Sequence, residues 1–250
     1  MVDTRGLYLD LMKRVLTNLV YEDAPIKVFD LGDGAAPESS RLLGRDWPSV
    51  AHTMIGLKRL DNLQECVEAV IRDGVPGDLV ETGVWRGGAS IFMRAVVRAH
   101  GDAERRVWLA DSFQGMPTVG EDGHEGDRAM EFHRYNDVLA VDLETVRRNF
   151  ERYGLLDSQV RFLPGWFDDT LPTAPIDRVA VLRLDGDLFE STTVALESLY
   201  PKLSPGGFLI VDDYVIPACA EAVHAYRAAH GITEPVQDID GGAVFWRRSG

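Results

Sequence analysis

Gly77-Asp78-Leu79-Val80-Glu81-Thr82-Gly83-Val84-Trp85-Arg86-Gly87-Gly88-Ala89-Ser90 is the stretch that decides the fold. Leu79 and Val80 read as the end of a buried strand, which Glu81 closes. Thr82, Gly83, Gly87 and Gly88 form a turn free to take φ > 0 and to let a ligand approach the backbone. A helix follows from Ala89 to His100, with Gly101 at its C-cap. Strand, glycine loop and helix N-terminus in that order make a nucleotide-binding corner of an α/β sheet. The spacing Gly83-x-x-x-Gly87-Gly88 departs from the dinucleotide pattern G-x-G-x-x-G, and an acidic residue precedes the first glycine. A carboxylate there suits a ligand bearing hydroxyls and a positive charge and repels a pyrophosphate. That favours S-adenosylmethionine (SAM) over NAD. The same residues also fit an ordinary βα turn.

Upstream, Thr4 to Val20 has helical periodicity through Leu7, Leu9, Leu11, Val15 and Leu19. A polar segment bearing Pro and Gly runs from Glu22 to Pro48, and an amphipathic helix from Arg59 to Arg72 turns Leu60, Leu63, Val67, Val70 and Ile71 inward. Downstream, Arg106–Asp111 reads as the second strand. Gln114–Arg128 is a glycine- and acid-rich loop of the length lids have, expected to be mobile without ligand. A helix over Asp142–Tyr153, capped by Asp142, leads to a third strand over Gln159–Leu163. Arg178–Asp185 is the fourth strand, Ser191–Leu203 a helix, Phe208–Asp213 the fifth strand and Ala218–His230 the last helix. Val236–Ile239 and Ala243–Trp246 flank Asp240-Gly241-Gly242, a hairpin signal. Strands alternating with helices and closing in an antiparallel pair give an α/β domain with a mostly parallel sheet. The organisation expected is a helical N-terminal extension over 1–74 packing on a core domain over 75–250.

In such sheets ligands bind beyond the carboxyl ends of the strands. Those ends carry Glu81, Asp111, Asp185, Asp212 and Asp213. Like charges repel, so something positive must offset them. A sulfonium, ribose hydroxyls and a divalent cation together do so. Asp111 is placed to accept from ribose hydroxyls, with Ser112 and Phe113 on the adenine side. In Gly165-Trp166-Phe167-Asp168, Trp166 or Phe167 can stack on adenine and Asp168 can accept from its amino group; the same run also fits a hydrophobic plug. Asp185, Asp212 and Asp213 form an all-oxygen set suited to a hard cation, Mg²⁺, while Asp187 either joins them or caps the next helix. Of six histidines, His133 follows the lid-like loop and is a candidate general base, or a helix-start residue bonded to backbone.

Composition bounds the rest. The 250 residues, 45% hydrophobic, suffice for a sizeable core. The net charge of −14, with no basic stripe, argues against nucleic acid as partner. No apolar run approaches the roughly 18–20 residues that cross a membrane, and no signal peptide is visible. The two cysteines, Cys66 and Cys219, read as buried free thiols, which fits a cytoplasmic protein.

Long runs of the chain resemble the SAM- and Mg²⁺-dependent sugar O-methyltransferases of antibiotic biosynthesis, the macrocin, mycinamicin and noviose type. The resemblance spans roughly Asp46 to Tyr214. It rests on Asp46-Trp47-Pro48 with Thr53-Met54-Ile55-Gly56, on Leu79 to Gly88, and on Ala110-Asp111-Ser112-Phe113-Gln114-Gly115-Met116-Pro117. Gly165 to Pro172, Leu182-Arg183-Leu184-Asp185-Gly186-Asp187 and Val211-Asp212-Asp213-Tyr214 complete it. It implies a class I, Rossmann-like SAM-dependent methyltransferase fold. It also implies SAM held by Met54, Glu81, Thr82, Gly83, Trp85, Arg86, Gly87, Asp111, Ser112, Phe113, Gly165, Trp166, Phe167 and Asp168. Metal would sit at Asp185, Asp212 and Asp213, with Asp185 or His133 as base. The expected acceptor is a hydroxyl of a deoxysugar in a small-molecule glycoside, beside a second oxygen that Mg²⁺ can also ligate, in a homo-oligomeric enzyme. Catechol-type methylation, or a non-catalytic SAM-binding protein, is the alternative.

Overall fold

Short apolar runs build the sheet because strands buried on both faces need no alternation. In the computed structural model, which describes residues 3–26 and 37–250, all six residues of one such strand, Val179–Leu184, are buried. Residues 27–36 of the expected polar segment lie outside the described residues.

In chain order the elements are α1 (Thr4–Leu16), α2 (Pro37–Leu42), α3 (Gly56–Arg72), β1 (Asp78–Thr82), α4 (Gly88–Ala99) and β2 (Val107–Asp111). There follow α5 (Glu125–Met130), a 3₁₀ turn (Phe132–Tyr135), α6 (Asn136–Leu139), α7 (Leu143–Arg152), β3 (Val160–Pro164), α8 (Phe167–Thr170) and β4 (Val179–Leu184). The chain closes with α9 (Phe189–Leu199), β5 (Leu203–Val211), α10 (Pro217–Ala229), β6 (Gln237–Asp238) and β7 (Val244–Arg247).

The strand order is β3-β2-β1-β4-β5-β7-β6, parallel through β5, with β7 antiparallel to β5 and β6 antiparallel to β7. The winding reverses between β1 and β4, and ligands of such sheets bind at that switch point. Side chains alternate across the sheet, so each strand feeds two cores. Leu79, Val181 and Ile210 join α1, α3 and α4 on one face, through Leu9, Leu16, Leu60, Val67 and Ile91. Val80, Leu182 and Val211 join α9 and α10 on the other, through Leu196, Cys219 and Val223. Continuing the first stripe toward the carboxyl ends gives Glu81, Arg183, Asp185 and Asp212. The fold therefore delivers a line of charged groups to one edge of one face, where β1 and β4 lie side by side with Glu81 opposite Arg183.

Three elements differ from their sequence reading. The helix expected to reach Leu203 ends at Leu199 and tightens into a 3₁₀ turn over Tyr200–Lys202. Pro201 offers no amide to continue an α-helix. The fifth strand starts at Leu203, earlier than expected, because Ser204–Gly207 bulges out between Leu203, opposite Val179, and Phe208, opposite Val181. The last part of the Gln114–Arg128 loop is helical: α5 starts at Glu125, with His124 as N-cap accepting from the Gly126 amide. Among the described residues no helix is long and apolar enough to cross a membrane.

Candidate active site

A cavity of about 580 Å³ opens at the carboxyl ends of β1, β2 and β4. Its floor begins at the β1–α4 corner. Gly83 takes φ +82, and a Cβ there would lie 1.7 Å from the Asp185 carbonyl oxygen. A Cβ on Gly88 would meet the His52 carbonyl at 2.3 Å. The glycines thus let β4 and the segment before α3 close onto the corner, a tighter demand than ligand access alone. Trp85 sits at φ +46, and its indole N–H donates to the Val138 carbonyl at 2.9 Å, tying the corner to α6.

Asp111 ends β2. It accepts from the Val84 amide at 2.7 Å and from the Phe113 amide at 2.7 Å, so one carboxylate fixes both turns around the cavity. Burial raises its pKa against these amides. Each carboxylate oxygen has a second lone pair, so further acceptor capacity remains.

The acidic edge holds two cations that the sequence reading had not weighed. Arg183, 1% exposed, donates to Glu81 Oε1 at 2.6 Å and to Asp185 Oδ2 at 2.6 Å, and pairs with Asp212 Oδ1. Arg59 of α3 donates to Asp212 Oδ2 at 2.5 Å and to Asp240 Oδ2 at 2.7 Å. Something positive does offset the strand-tip acids, and part of it is the chain's own: beside the expected sulfonium, ribose hydroxyls and divalent cation, two arginines balance part of the charge. Glu81 also accepts from the Ser90 hydroxyl. Burial pushes its carboxyl up to about 7, against the pull of Arg183 and Ser90.

The remaining acids have no such partner. Asp213 Oδ2 accepts from the Asp187 amide at 3.0 Å, and among the described residues no Lys, Arg or His pairs with Asp187 or Asp213. Burial and neighbouring carboxylates raise Asp213 well above the usual range and push Asp187 up to about 7. Oxygens of Asp185, Asp212 and Asp213 lie within 4.8 Å of one another, close enough for one hard cation to reach all three. Of the three, Asp213 has no cation beside it, Asp185 pairs with Arg183 through one oxygen and Asp212 pairs with both arginines; three mutually repelling carboxylates suit a further cation chemically. No other His/Cys/Asp/Glu group of this kind occurs among the described residues.

Of the residues singled out in the sequence, Met54, Glu81, Gly83, Trp85, Asp111, Ser112, Trp166, Phe167, Asp168, Asp185, Asp212 and Asp213 line the cavity. Thr82 is buried on the strand's other face. Arg86 lies over the Trp85 ring at 4.0 Å and donates to the Pro48 and Ala51 carbonyls at 3.1 and 2.8 Å, binding the preceding segment to the corner. Gly87 caps α4, Phe113 packs into the core against Phe162, and the Gly165 amide donates to the Asp111 carbonyl. His133 lies on the 3₁₀ turn and lines a side cavity of about 150 Å³, whose walls share Pro117, Val119, Asp127, Phe132 and Leu188 with the main one. Sequence reasoning missed Arg183, Arg59, His52 and Asp127. His52 lies 2.7 Å from the Tyr153 hydroxyl, and burial pushes its imidazole down to about 4. Asp127 caps α9, accepting from Phe189 and Glu190 amides at 2.7 and 3.1 Å, and so ties α5 to the start of α9.

A doubly wound sheet with an acidic β1 tip, a glycine corner and a ribose-type acid on β2 is the class I SAM-dependent methyltransferase fold. The chain belongs to the macrocin O-methyltransferase family, whose sequence profile matches residues 5–248. It is 71% identical over 247 residues, 99% of this chain and 94% of the relative, to the 8-demethyl-8-(2,3-dimethoxy-alpha-L-rhamnosyl)-tetracenomycin-C 4'-O-methyltransferase of Streptomyces olivaceus. It is 57% identical over 245 residues, 97% of this chain and 96% of the relative, to the mycinamicin III 3''-O-methyltransferase of Micromonospora griseorubida. Its fold superposes on the solved structure of the O-methyltransferase NovP with a TM-score of 0.94 at 59% identity, covering 98% of this chain and 100% of that one. The chain is thus an O-methyltransferase, as its sequence resemblance implied.

Proposed function

We propose that the enzyme transfers a methyl group from SAM to a deoxysugar hydroxyl of a glycosylated natural product, with a divalent cation, Mg²⁺, held by Asp185, Asp212 and Asp213. The observation that carries this reading is the position of the three carboxylates, in the wall of the same cavity as the glycine corner. Bound there, SAM supplies an electrophilic methyl and the cation a Lewis acid that lowers the pKa of the acceptor hydroxyl.

The chain's own residues do the rest. Asp111 holds the ribose hydroxyls on its remaining lone pairs. Trp166 or Phe167 stacks on the adenine, and Asp168 accepts from its amino group. Asp185, or His133 after a movement of the lid segment, takes the proton of the attacking hydroxyl. Met116, Pro117, Phe132 and Leu139 line the cavity and give an apolar aglycone a surface to rest on. The 71% identical relative supports a 4'-hydroxyl of a rhamnosyl group as the acceptor. A net charge of −14 disfavours anionic acceptors.

The test is to offer SAM with a rhamnosyl polyketide glycoside, the free aglycone and a catechol, and to identify products by mass spectrometry and NMR. A single methyl on the sugar of the glycoside is expected. Methylation of the catechol with the glycoside untouched would overturn the sugar assignment.

A further inference from the structure

Arg59 belongs to α3, far in sequence from the strand tips, yet its guanidinium lies in the wall of the cavity with 15% of the side chain exposed. It spans two carboxylates on different elements: Nη1 meets Asp212 after β5 at 2.5 Å, and Nε meets Asp240 in the β6–β7 turn at 2.7 Å. Asp240 is itself fixed, since its other oxygen accepts the Gly242 and Ala243 amides at 2.9 and 3.0 Å. The absence of a side chain on Gly242 makes room for the arginine, because a Cβ there would fall 2.6 Å from Nη2. Asp212 is thus gripped from both sides, Oδ1 by Arg183 and Oδ2 by Arg59. Neither Asp187 nor Asp213 is gripped by any cation among the described residues.

We infer that Arg59 is a positioning residue for the reaction: it fixes the direction in which Asp212 faces the acidic edge, and its charge weakens the hold of that edge on a divalent cation. The inference rests on the proposed metal reading. A planar guanidinium offers donors in a fixed fork, so bridging two anchored carboxylates sets orientation in a way a flexible ammonium does not. A unit positive charge bonded to one carboxylate of a cation site also repels the cation through a poorly screening interior. Arg59 therefore lowers cation affinity while improving the geometry of what is bound. The two effects pull measurable quantities in opposite directions.

The experiment is calorimetric titration of the full-length protein with Mg²⁺ alone, in the absence of SAM and acceptor, paired with kcat and KM for methyl transfer. Arg59→Gln should bind Mg²⁺ about tenfold more tightly than the wild type, through the loss of one nearby positive charge, while kcat falls. Arg59→Lys keeps the charge but cannot span both carboxylates. It should bind Mg²⁺ as the wild type does and lose kcat with little change in KM. Asp240→Asn removes only the outer anchor, so kcat should fall and Mg²⁺ binding should not tighten. A residue that merely stabilised the fold would lower the melting temperature and leave Mg²⁺ affinity and kcat per folded molecule unchanged. Folded Arg59→Gln with wild-type or weaker Mg²⁺ affinity overturns the inference alone. If Arg59→Gln does not fold, Arg59→Lys with wild-type kcat overturns it. A wild type that takes up no Mg²⁺ removes the metal reading and the inference with it.

Discussion

The acidic edge divides into two halves of like composition and opposite electrostatics. In one, Glu81, Asp212 and Asp240 are each ion-paired with Arg183 or Arg59. In the other, Asp187 and Asp213 crowd together with no cation, while Asp185 shares Arg183 on one oxygen. The two halves lie on neighbouring strand tips, so sequence position does not separate them. What separates them is which side chains reach them: Arg183 from the penultimate position of β4 and Arg59 from α3. A row of carboxylates therefore does not by itself mark a metal site. The candidate metal set straddles the two halves: Asp213 has no cation beside it, Asp185 shares Arg183 on one oxygen, and Asp212 is paired with both arginines.

The largest effect should come from breaking the paired half. Arg183→Met would leave Glu81, Asp185 and Asp212 without their shared buried cation, and breaking such a network costs about 3–5 kcal/mol. Denaturant unfolding of purified protein measures it. A loss under about 1 kcal/mol would mean that Arg183 is not the counter-ion of these acids.

Breaking the unpaired half should harm chemistry and spare the fold. Asp213→Asn is expected to lower methyl transfer by about a thousandfold or more, equivalent to roughly 4 kcal/mol. Affinity for the demethylated product of SAM should stay near that of the wild type. The metal-free melting temperature should hold, since the carboxyl is already raised toward its neutral form and an amide oxygen can still accept from the Asp187 amide. A variant that transfers methyl normally would make Asp213 an ordinary loop acid.

Within the paired half, Glu81 is the acid at the glycine corner. Glu81→Gln should weaken SAM binding by about 1.5–3 kcal/mol where Glu81 is ionised, through loss of a charge-assisted contact. Burial pushes this carboxyl up to about 7 in the absence of ligand. The penalty of the substitution should therefore be larger at pH 8 than at pH 6, as isothermal titration at both values would report. Equal SAM affinity in variant and wild type at pH 8 would remove Glu81 from the cofactor's contacts.

The strand-and-helix alternation and the placing of the acids at the strand tips were legible because short apolar runs ending in acids leave few arrangements. The arginines were not. Arg183 sits inside Val179–Leu184, and its neighbours make the run read as plain buried strand. Alternation alone puts it on the face of Val181 and Asp185, so the signal was present as a charge in an apolar stripe. Arg59 gave no local signal, since its partners Asp212 and Asp240 lie far along the chain and meet it only in the fold. Helix α5 escaped because six residues without an apolar rhythm look like loop, and what fixes it is Asp127 capping α9. The start of β5 escaped because Ser204-Pro205-Gly206-Gly207 has the composition of a turn while the backbone passes through as a bulge.

The smallest expected effect is on stability against pH. Asp187 is pushed up to about 7 in the metal-free protein, well above a carboxyl in an unfolded chain. Its native-state proton favours the fold at low pH, and that contribution is lost as pH rises through 7. The melting temperature of metal-free protein should thus decline by on the order of a few degrees between about pH 5 and 8, and Mg²⁺ should flatten the decline. A metal-free curve that rises over this range would say that the unpaired half is compensated by groups of the chain itself.

The central claim is that methyl transfer to the sugar depends on a cation held by Asp185, Asp212 and Asp213. The most direct measurement is turnover of a rhamnosyl polyketide glycoside with SAM in the presence of EDTA, followed by addition of excess Mg²⁺. Turnover should stop in EDTA while SAM still binds, and Mg²⁺ should restore it. Full turnover in EDTA would contradict it, and would leave Asp185, Asp212 and Asp213 as hydrogen-bonding acids only.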